Sequence, residues 1–187
     1  MKKKLFYFLL FFLFFLTSCG KKEEKDVKNS EEEKLSEFSL KQFSHKYLLI
    51  VNGESAEILE NKNIKVSSPS FSLKTSDEII EIKTDKLGKG EIKVEPETKQ
   101  IKEITITGKI LILYKDKKEE KITMEISCEK LTYIDEKKEM IFEGNPLIKR
   151  GKNKFSGDRI IYNIEKNIIE IKGNVNVEIF PEEKSGK

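Results

Sequence analysis

The chain has 187 residues, enough for one folded domain, with 37% hydrophobic and 37% charged residues and no tryptophan. Its formal net charge of +3 comes from Lys2–Lys4; with these set aside, basic residues balance the 33 acidic ones. A neutral body with Lys and Glu interleaved excludes a nucleic-acid footprint, which needs a basic excess on one face. The lone histidine, His45, leaves no histidine metal cluster and no base around which a catalytic triad could be assembled.

Residues 1–18 read as an export signal. Lys2–Lys4 form a positive start, and Leu5–Leu16 is an unbroken run of Leu, Phe and Tyr. As a helix that run spans about 18 Å, short of the ~30 Å hydrocarbon core, so it reads as a signal-peptide core rather than a membrane span. Leu16-Thr17-Ser18-Cys19 resembles the processing site of bacterial lipoproteins, in which the cysteine is diacylated and becomes the new N-terminus. Two or three acyl chains anchor a protein stably where one does not. With Cys19 lipidated, Cys128 has no partner for an internal disulfide and reads as a small buried residue.

Residues 19–36 carry both signs of charge, few apolar residues and no periodicity, the composition of a flexible tether roughly 20 Å from end to end. Residues 37–181 are expected to form the folded domain, with a polar tail at 182–187. Phe38, Leu40 and Phe43 form a lead-in strand or turn. Tyr47–Val51 is a β-rich run, Asn52-Gly53 a turn signal, and Glu54–Leu59 a second strand. Asn61–Asn63 turns, Ile64–Val66 continues, and Pro69 limits that segment to an edge or a break. Phe71 and Leu73, then Ile79–Ile82, come next. Gly88-Lys89-Gly90 reads as a turn, because it lacks the spacing of a phosphate loop. Glu95–Gln100 turns at Pro96, Ile104 and Ile106 alternate with threonine up to Gly108, and Ile110–Tyr114 is a solid apolar run. Ile122, Met124, Ile126 and Cys128 alternate with polar residues after a charged turn at Asp116–Glu120.

One unit is then written twice. Cys128–Ile148 aligns without a gap on Gly157–Val177, placing Tyr133 on Tyr162, Phe142 on Ile171, and Gly144-Asn145 on Gly173-Asn174. Each copy reads strand, polar turn (Asp135–Lys138; Ile164–Asn167), strand, Gly-Asn corner and the start of another strand. No helix is expected after the signal. Short alternating strands every 8–12 residues indicate an all-β antiparallel fold with one apolar face and one solvated Lys/Glu face. The inner wall is expected to contain Ile104, Ile106, Ile122, Met124, Ile126, Leu131, Tyr133, Met140, Phe142, Ile160, Tyr162, Ile169 and Ile171. No nucleotide loop, zinc spacing or nucleophile elbow is present, and no carboxylate pair stands out. A binding or structural role carried by a β surface is left.

The segments Glu129-Lys130-Leu131-Thr132-Tyr133 leading to Gly144-Asn145-Pro146, and Asp158-Arg159-Ile160-Ile161-Tyr162 leading to Gly173-Asn174-Val175, resemble the OstA-like family of lipopolysaccharide-export periplasmic proteins, LptA and LptC. Tyr47–Phe71, with Gly53-Glu54-Ser55-Ala56, is most like the LptC branch. Pro146 departs from the second copy's Val175 and cannot donate a ladder hydrogen bond, so an edge or bulge is expected there. The resemblance implies a twisted, open antiparallel β-jellyroll whose inner wall is a groove for the acyl chains of lipopolysaccharide or a related glycolipid. It implies head-to-tail pairing of strand edges, with Val175, Val177 and Ile179 presented to an LptA-like protein and an LptF/LptG-type ABC transporter on the inner-membrane side. It implies neither enzymatic activity nor a cofactor, ATP being hydrolysed elsewhere. Screening acyl chains is worth about 0.8 kcal/mol per methylene, and unpaired strand edges are ready docking sites. Anchorage favours the LptC role at the periplasmic face of the inner membrane, with a lipid in place of the family's uncleaved helix. Gly20 after the cysteine, where inner-membrane retention prefers Asp, points instead to the outer membrane. The competing readings are an LptA-like role, a structural envelope lipoprotein that scaffolds partners without carrying lipid, and an envelope enzyme.

Overall fold

The computed structural model describes residues 33–181; the expected signal peptide, Cys19, the expected tether up to residue 32 and the expected tail at 182–187 lie outside them. Fourteen strands form one antiparallel sheet: β1 (Glu33–Phe43), β2 (Leu48–Ile58), β3 (Ile64–Ser67), β4 (Ser70–Lys74), β5 (Glu78–Thr84), β6 (Lys89–Val94), β7 (Ile101–Asp116), β8 (Ile122–Ile134), β9 (Glu139–Glu143), β10 (Leu147–Arg150), β11 (Asn153–Ser156), β12 (Arg159–Asn163), β13 (Ile168–Lys172) and β14 (Asn176–Glu178).

Four long strands fold this sheet over on itself. The first half of β7 pairs with β6 (Ile104↔Ile92) and the second half with β5 (Ile112↔Ile82). Likewise β2 pairs with β4 at Val51↔Phe71 and with β3 at Ala56↔Val66, and β8 with β10 and then β9. Strand β1 follows β2 along its whole length. One layer is therefore β1-β2-β3-β6-β7-β8-β9-β12-β13 and the other β1-β2-β4-β5-β7-β8-β10-β11-β14, with β1, β2, β7 and β8 belonging to both. The layers face each other: the Phe71 ring lies 5.7 Å from that of Tyr133, and Tyr114 meets Tyr162 edge-on at 5.4 Å.

The shared strands cross between layers at irregular points. The β7–β8 register shifts between Thr107 and Ile110, where Gly108 has φ +133°, a conformation L side chains rarely adopt. The β1–β2 ribbon skips a pair at Glu37, which has φ +55°. We call this side the spine. Gly53, Gly88, Gly108, Gly144, Gly157 and Gly173 all lie along it, and at each an added Cβ would collide with a neighbour. At Gly151, in the β10–β11 turn on the opposite side, it would meet nothing within 4 Å. Glycine thus marks where turns and neighbouring strands along the spine come too close for a side chain. The opposite side, the mouth, carries the charged turns, including residues 44–47 and 75–77 of one layer and 135–138 and 164–167 of the other.

The repeat is a repeat of backbone. Lys138 and Asn167 (φ +53° and +52°), Gly144 and Gly173, and Asn145 and Asn174 share positive φ at matching places. Each Gly-Asn corner carries the chain over the spine, from β9 to β10 and from β13 to β14. Pro146 lies between strands, before Leu147 opens β10, so no ladder bond is required of it. Other expectations need correction. Asn52-Gly53 is not a turn, because β2 runs through it and only changes partner. Residues 104–114 form one strand, β7, bent at Gly108. The turn near Gly88 is made by Asp85–Gly88, closed by Gly88 N–H donating to Asp85 O at 3.0 Å, and Lys89 and Gly90 already belong to β6. Residues 33–36, expected in the tether, pair with Ile58–Ser55 as the start of β1; an edge strand needs only a ladder partner and little apolar surface, so composition does not reveal it.

Candidate functional site: an apolar interior with a clasped mouth

Strand alternation and antiparallel register line the interior with continuous cross-strand rows. In one layer Ile92, Ile104, Tyr133, Met140, Tyr162 and Ile169 stand side by side, and the neighbouring row runs Val66, Gly90, Ile106, Leu131, Phe142, Ile160 and Ile171. In the facing layer Val51, Phe71, Ile82, Ile112, Ile126, Ile148, Phe155 and Val177 form one row. The core is wholly apolar in residue type, with no polar or charged residue buried among the described residues.

Of the thirteen residues expected on the inner wall, Ile104, Ile106, Met124, Ile126, Leu131, Tyr133, Met140, Phe142, Ile160 and Tyr162 are buried in one core. Three are not. Ile122 is 49% exposed, because it opens β8 at the mouth next to the register shift at Tyr114/Lys115. Ile169 is exposed and Ile171 half-buried, because β13 pairs with β12 alone and no further strand covers it. Strand β14 likewise pairs on one side only, with β11, and of the expected edge residues only Val177 lies within it, Val175 and Ile179 flanking it. All three are exposed, as are Ile168 and Phe180. The apolar rows therefore run out into an uncovered apolar end, formed by the two free edges β13 and β14. Sequence reading pointed to β14 and missed β13, whose Ile168-Ile169 doublet offers no clear alternation.

Three hollows lie in the mouth and share lining residues. One of about 540 Å³ is bordered by Tyr47, Leu73, Glu78, Tyr133, Tyr162 and Asn167, among others. It adjoins one of about 490 Å³ through His45, Tyr47 and Lys138. It adjoins another of about 340 Å³, reaching Met124, Arg150 and Ile169, through Glu78, Tyr162 and Asn167.

A polar clasp spans this mouth. The Tyr47 hydroxyl, from one layer, donates to Asp135 Oδ1 at 2.6 Å, and the Tyr133 hydroxyl donates to the same oxygen at 2.7 Å. Lys138 Nζ donates to the Tyr47 hydroxyl at 2.7 Å, pairs with Asp135 Oδ2 at 2.8 Å and lies 4.9 Å from the centre of the Tyr47 ring. Nearby, Lys46 pairs with Glu165 at 3.2 Å, and Ile101 N–H donates to Gln42 Oε1 at 2.7 Å. Partial burial works against the Asp135 carboxylate, but hydrogen bonds from Lys138, Tyr47 and Tyr133 outweigh it and hold its pKa below the ordinary value. Burial works against the Lys138 ammonium too, and its bonds to Asp135 and Tyr47 hold its pKa up. Both groups are charged at neutral pH. Burial pushes the Tyr162 hydroxyl up to about 12 and the Cys128 thiol to about 12, so that thiol is inert. Sequence reading missed Tyr47, Asp135 and Lys138 as a group. Asp135 and Lys138 read as turn residues, and only the fold brings Tyr47 to them.

A folded-over antiparallel sheet with an aliphatic and aromatic interior and free edges at β13 and β14 defines a β-jellyroll. A family model described as LptA/(LptD N-terminal domain) LPS transport protein matches residues 49–168, and the chain belongs to that family. The crystal structure of LptH, the LptA-homologous periplasmic component of the lipopolysaccharide transport device of Pseudomonas aeruginosa, superposes with a TM-score of 0.52 at 14% identity, covering 71% of this chain and 95% of that one. At this identity the likeness speaks for the fold alone. No curated protein sequence matches.

Proposed function

We propose that this chain is an anchored lipid-transfer module of the LptC type. Tethered through Cys19 to the periplasmic face of the inner membrane, it receives lipopolysaccharide or a related glycolipid from an LptF/LptG-type ABC transporter and passes it to an LptA-like protein. The carrying observation is that the apolar rows run through both layers and emerge at free edges β13 and β14, where Ile169, Val177 and Ile179 are exposed. A row that ends uncovered suits continuation into a second jellyroll, its acyl-chain path joined by edge pairing. Membership of a lipopolysaccharide transport family supports the substrate class.

A second reading, a scaffolding lipoprotein that carries no lipid, is favoured by the tight packing at mid-wall, where Tyr133, Met140 and Phe142 are wholly buried. A photo-crosslinking amino acid at Ile171, half-buried at the uncovered end, or at Ile126 separates the two. Glycolipid adducts in cells are expected. Adducts to protein alone would support the scaffold.

A further inference from the structure

The acyl-chain reading leaves open how a chain reaches the interior. Mid-wall side chains are sealed, with Ile106, Leu131, Tyr133, Met140, Phe142 and Ile160 at 0% exposure. No chain can lie between the layers there until they part. They cannot part at the spine, where β1, β2, β7 and β8 run continuously from one layer to the other. At the mouth, the hydrogen bonds described between the lips are made by side chains: Tyr47, Asp135 and Lys138, Lys46 with Glu165, and Gln42 with the Ile101 amide. The three connected hollows lie along this same line, and Tyr47 and Lys138 line both of the first two.

Resting on the carrier reading, we infer that the mouth is a lateral port for acyl chains and that the Tyr47–Asp135–Lys138 clasp is its gate, which must release before a chain passes between the layers. The lining suits an amphiphile. Leu73, Tyr133, Tyr162 and Ile164 form the inner side of the hollow of about 540 Å³, whereas His45, Lys46, Ser76, Asp77 and Glu165 form its rim. A chain would lie inside and its polar head would stay among the rim groups. The clasp holds the lips in register without a backbone ladder, so opening costs side-chain bonds and leaves the strand pairing intact. It sits one hollow away from the uncovered β13 end, reached through Glu78, Tyr162 and Asn167. Admission at the mouth and exit at that end then form one path.

The test is stopped-flow uptake of dansyl-labelled dodecanoic acid by the full chain in lipid nanodiscs, with the signal of empty nanodiscs subtracted. Tyr47→Phe keeps the ring and removes the hydroxyl shared by Asp135 and Lys138; it should speed uptake about tenfold, the scale of one or two hydrogen bonds. Lys46→Glu, which sets like charges against Glu165, should also speed uptake, and the swapped pair Lys46→Glu with Glu165→Lys should return it to the parent rate. Ile141→Val, on the outer face of β9 and away from the mouth, should loosen the fold without changing the rate. Thermal melts confirm that each variant is folded. If Tyr47→Phe and Lys46→Glu take up the probe at the parent rate, the gate is overturned and the carrier survives. If neither parent nor variants bind the probe, the carrier reading fails and the gate with it.

Discussion

Three interior tyrosines look alike in sequence but are satisfied differently, and their replacement by Phe should rank accordingly. Each ring is buried to 2% exposure or less, and Tyr→Phe keeps the ring, so the cavity contribution is small and the hydroxyl decides the outcome. The Tyr133 hydroxyl donates to the Asp135 carboxylate at 2.7 Å. A hydrogen bond to a charged group is worth about 1.5–3 kcal/mol, and since Asp135 keeps Tyr47 and Lys138, the lower end is expected for Tyr133→Phe. The Tyr162 hydroxyl donates to the Asn167 side-chain oxygen at 3.1 Å, a neutral bond whose loss costs about 1 kcal/mol. The Tyr114 hydroxyl is fully buried and its described partner is the Met140 sulfur at 3.8 Å, a weak acceptor. An ill-satisfied buried hydroxyl costs about 1–3 kcal/mol, so Tyr114→Phe should be neutral or stabilising by up to about 1 kcal/mol. Urea denaturation of the three variants at neutral pH, at a common slope, reads the order directly. A loss above about 1 kcal/mol for Tyr114→Phe, or a change within about 0.5 kcal/mol of zero for Tyr133→Phe, would refute the reasoning from hydrogen-bond geometry.

The clasp also predicts a pH response. The depressed pKa of Asp135 means that its contribution is present above its ordinary value of about 3.9 and is lost as pH falls through the lower folded value. The raised pKa of Lys138 means that its contribution is present below about 10.4 and is lost as pH rises through the higher folded value. Stability profiles between acid and alkali should therefore flatten at both ends in Asp135→Asn; an unchanged acid limb would show that the carboxylate is not coupled to folding. At the spine, Gly53→Ala would drive a methyl group into Val66, which is 3% exposed, and should cost about 1–3 kcal/mol by overpacking. A melting temperature equal to the parent's would mean that the β2–β3 contact has slack there.

Much of the architecture was legible because it depends on local rules. Alternation of Ile, Thr and charged residues dictates strands, and ten of the thirteen residues expected on the inner wall are buried in the core. The duplicated unit declared itself through Asp135–Lys138 and Ile164–Asn167, which are turns, and through the Gly-Asn corners, which adopt left-handed conformations that few other residues tolerate. Asn52-Gly53 misled for a physical reason: the same dipeptide that favours a tight turn also serves where a strand must bend against a close neighbour.

Sequence alone determined that this is an all-β chain with one apolar and one charged face and that its last third is a unit written twice. Both follow from period, punctuation and residue chemistry within a few positions. Only the tertiary structure decided which glycines form the spine, which strands serve both layers, and that β13 as well as β14 is left as a free edge, because these depend on pairing between residues far apart in the chain. The same holds for the clasp. Tyr47 and Asp135 lie 88 positions apart, and nothing local to either indicates that the layers will bring their oxygens together across the mouth.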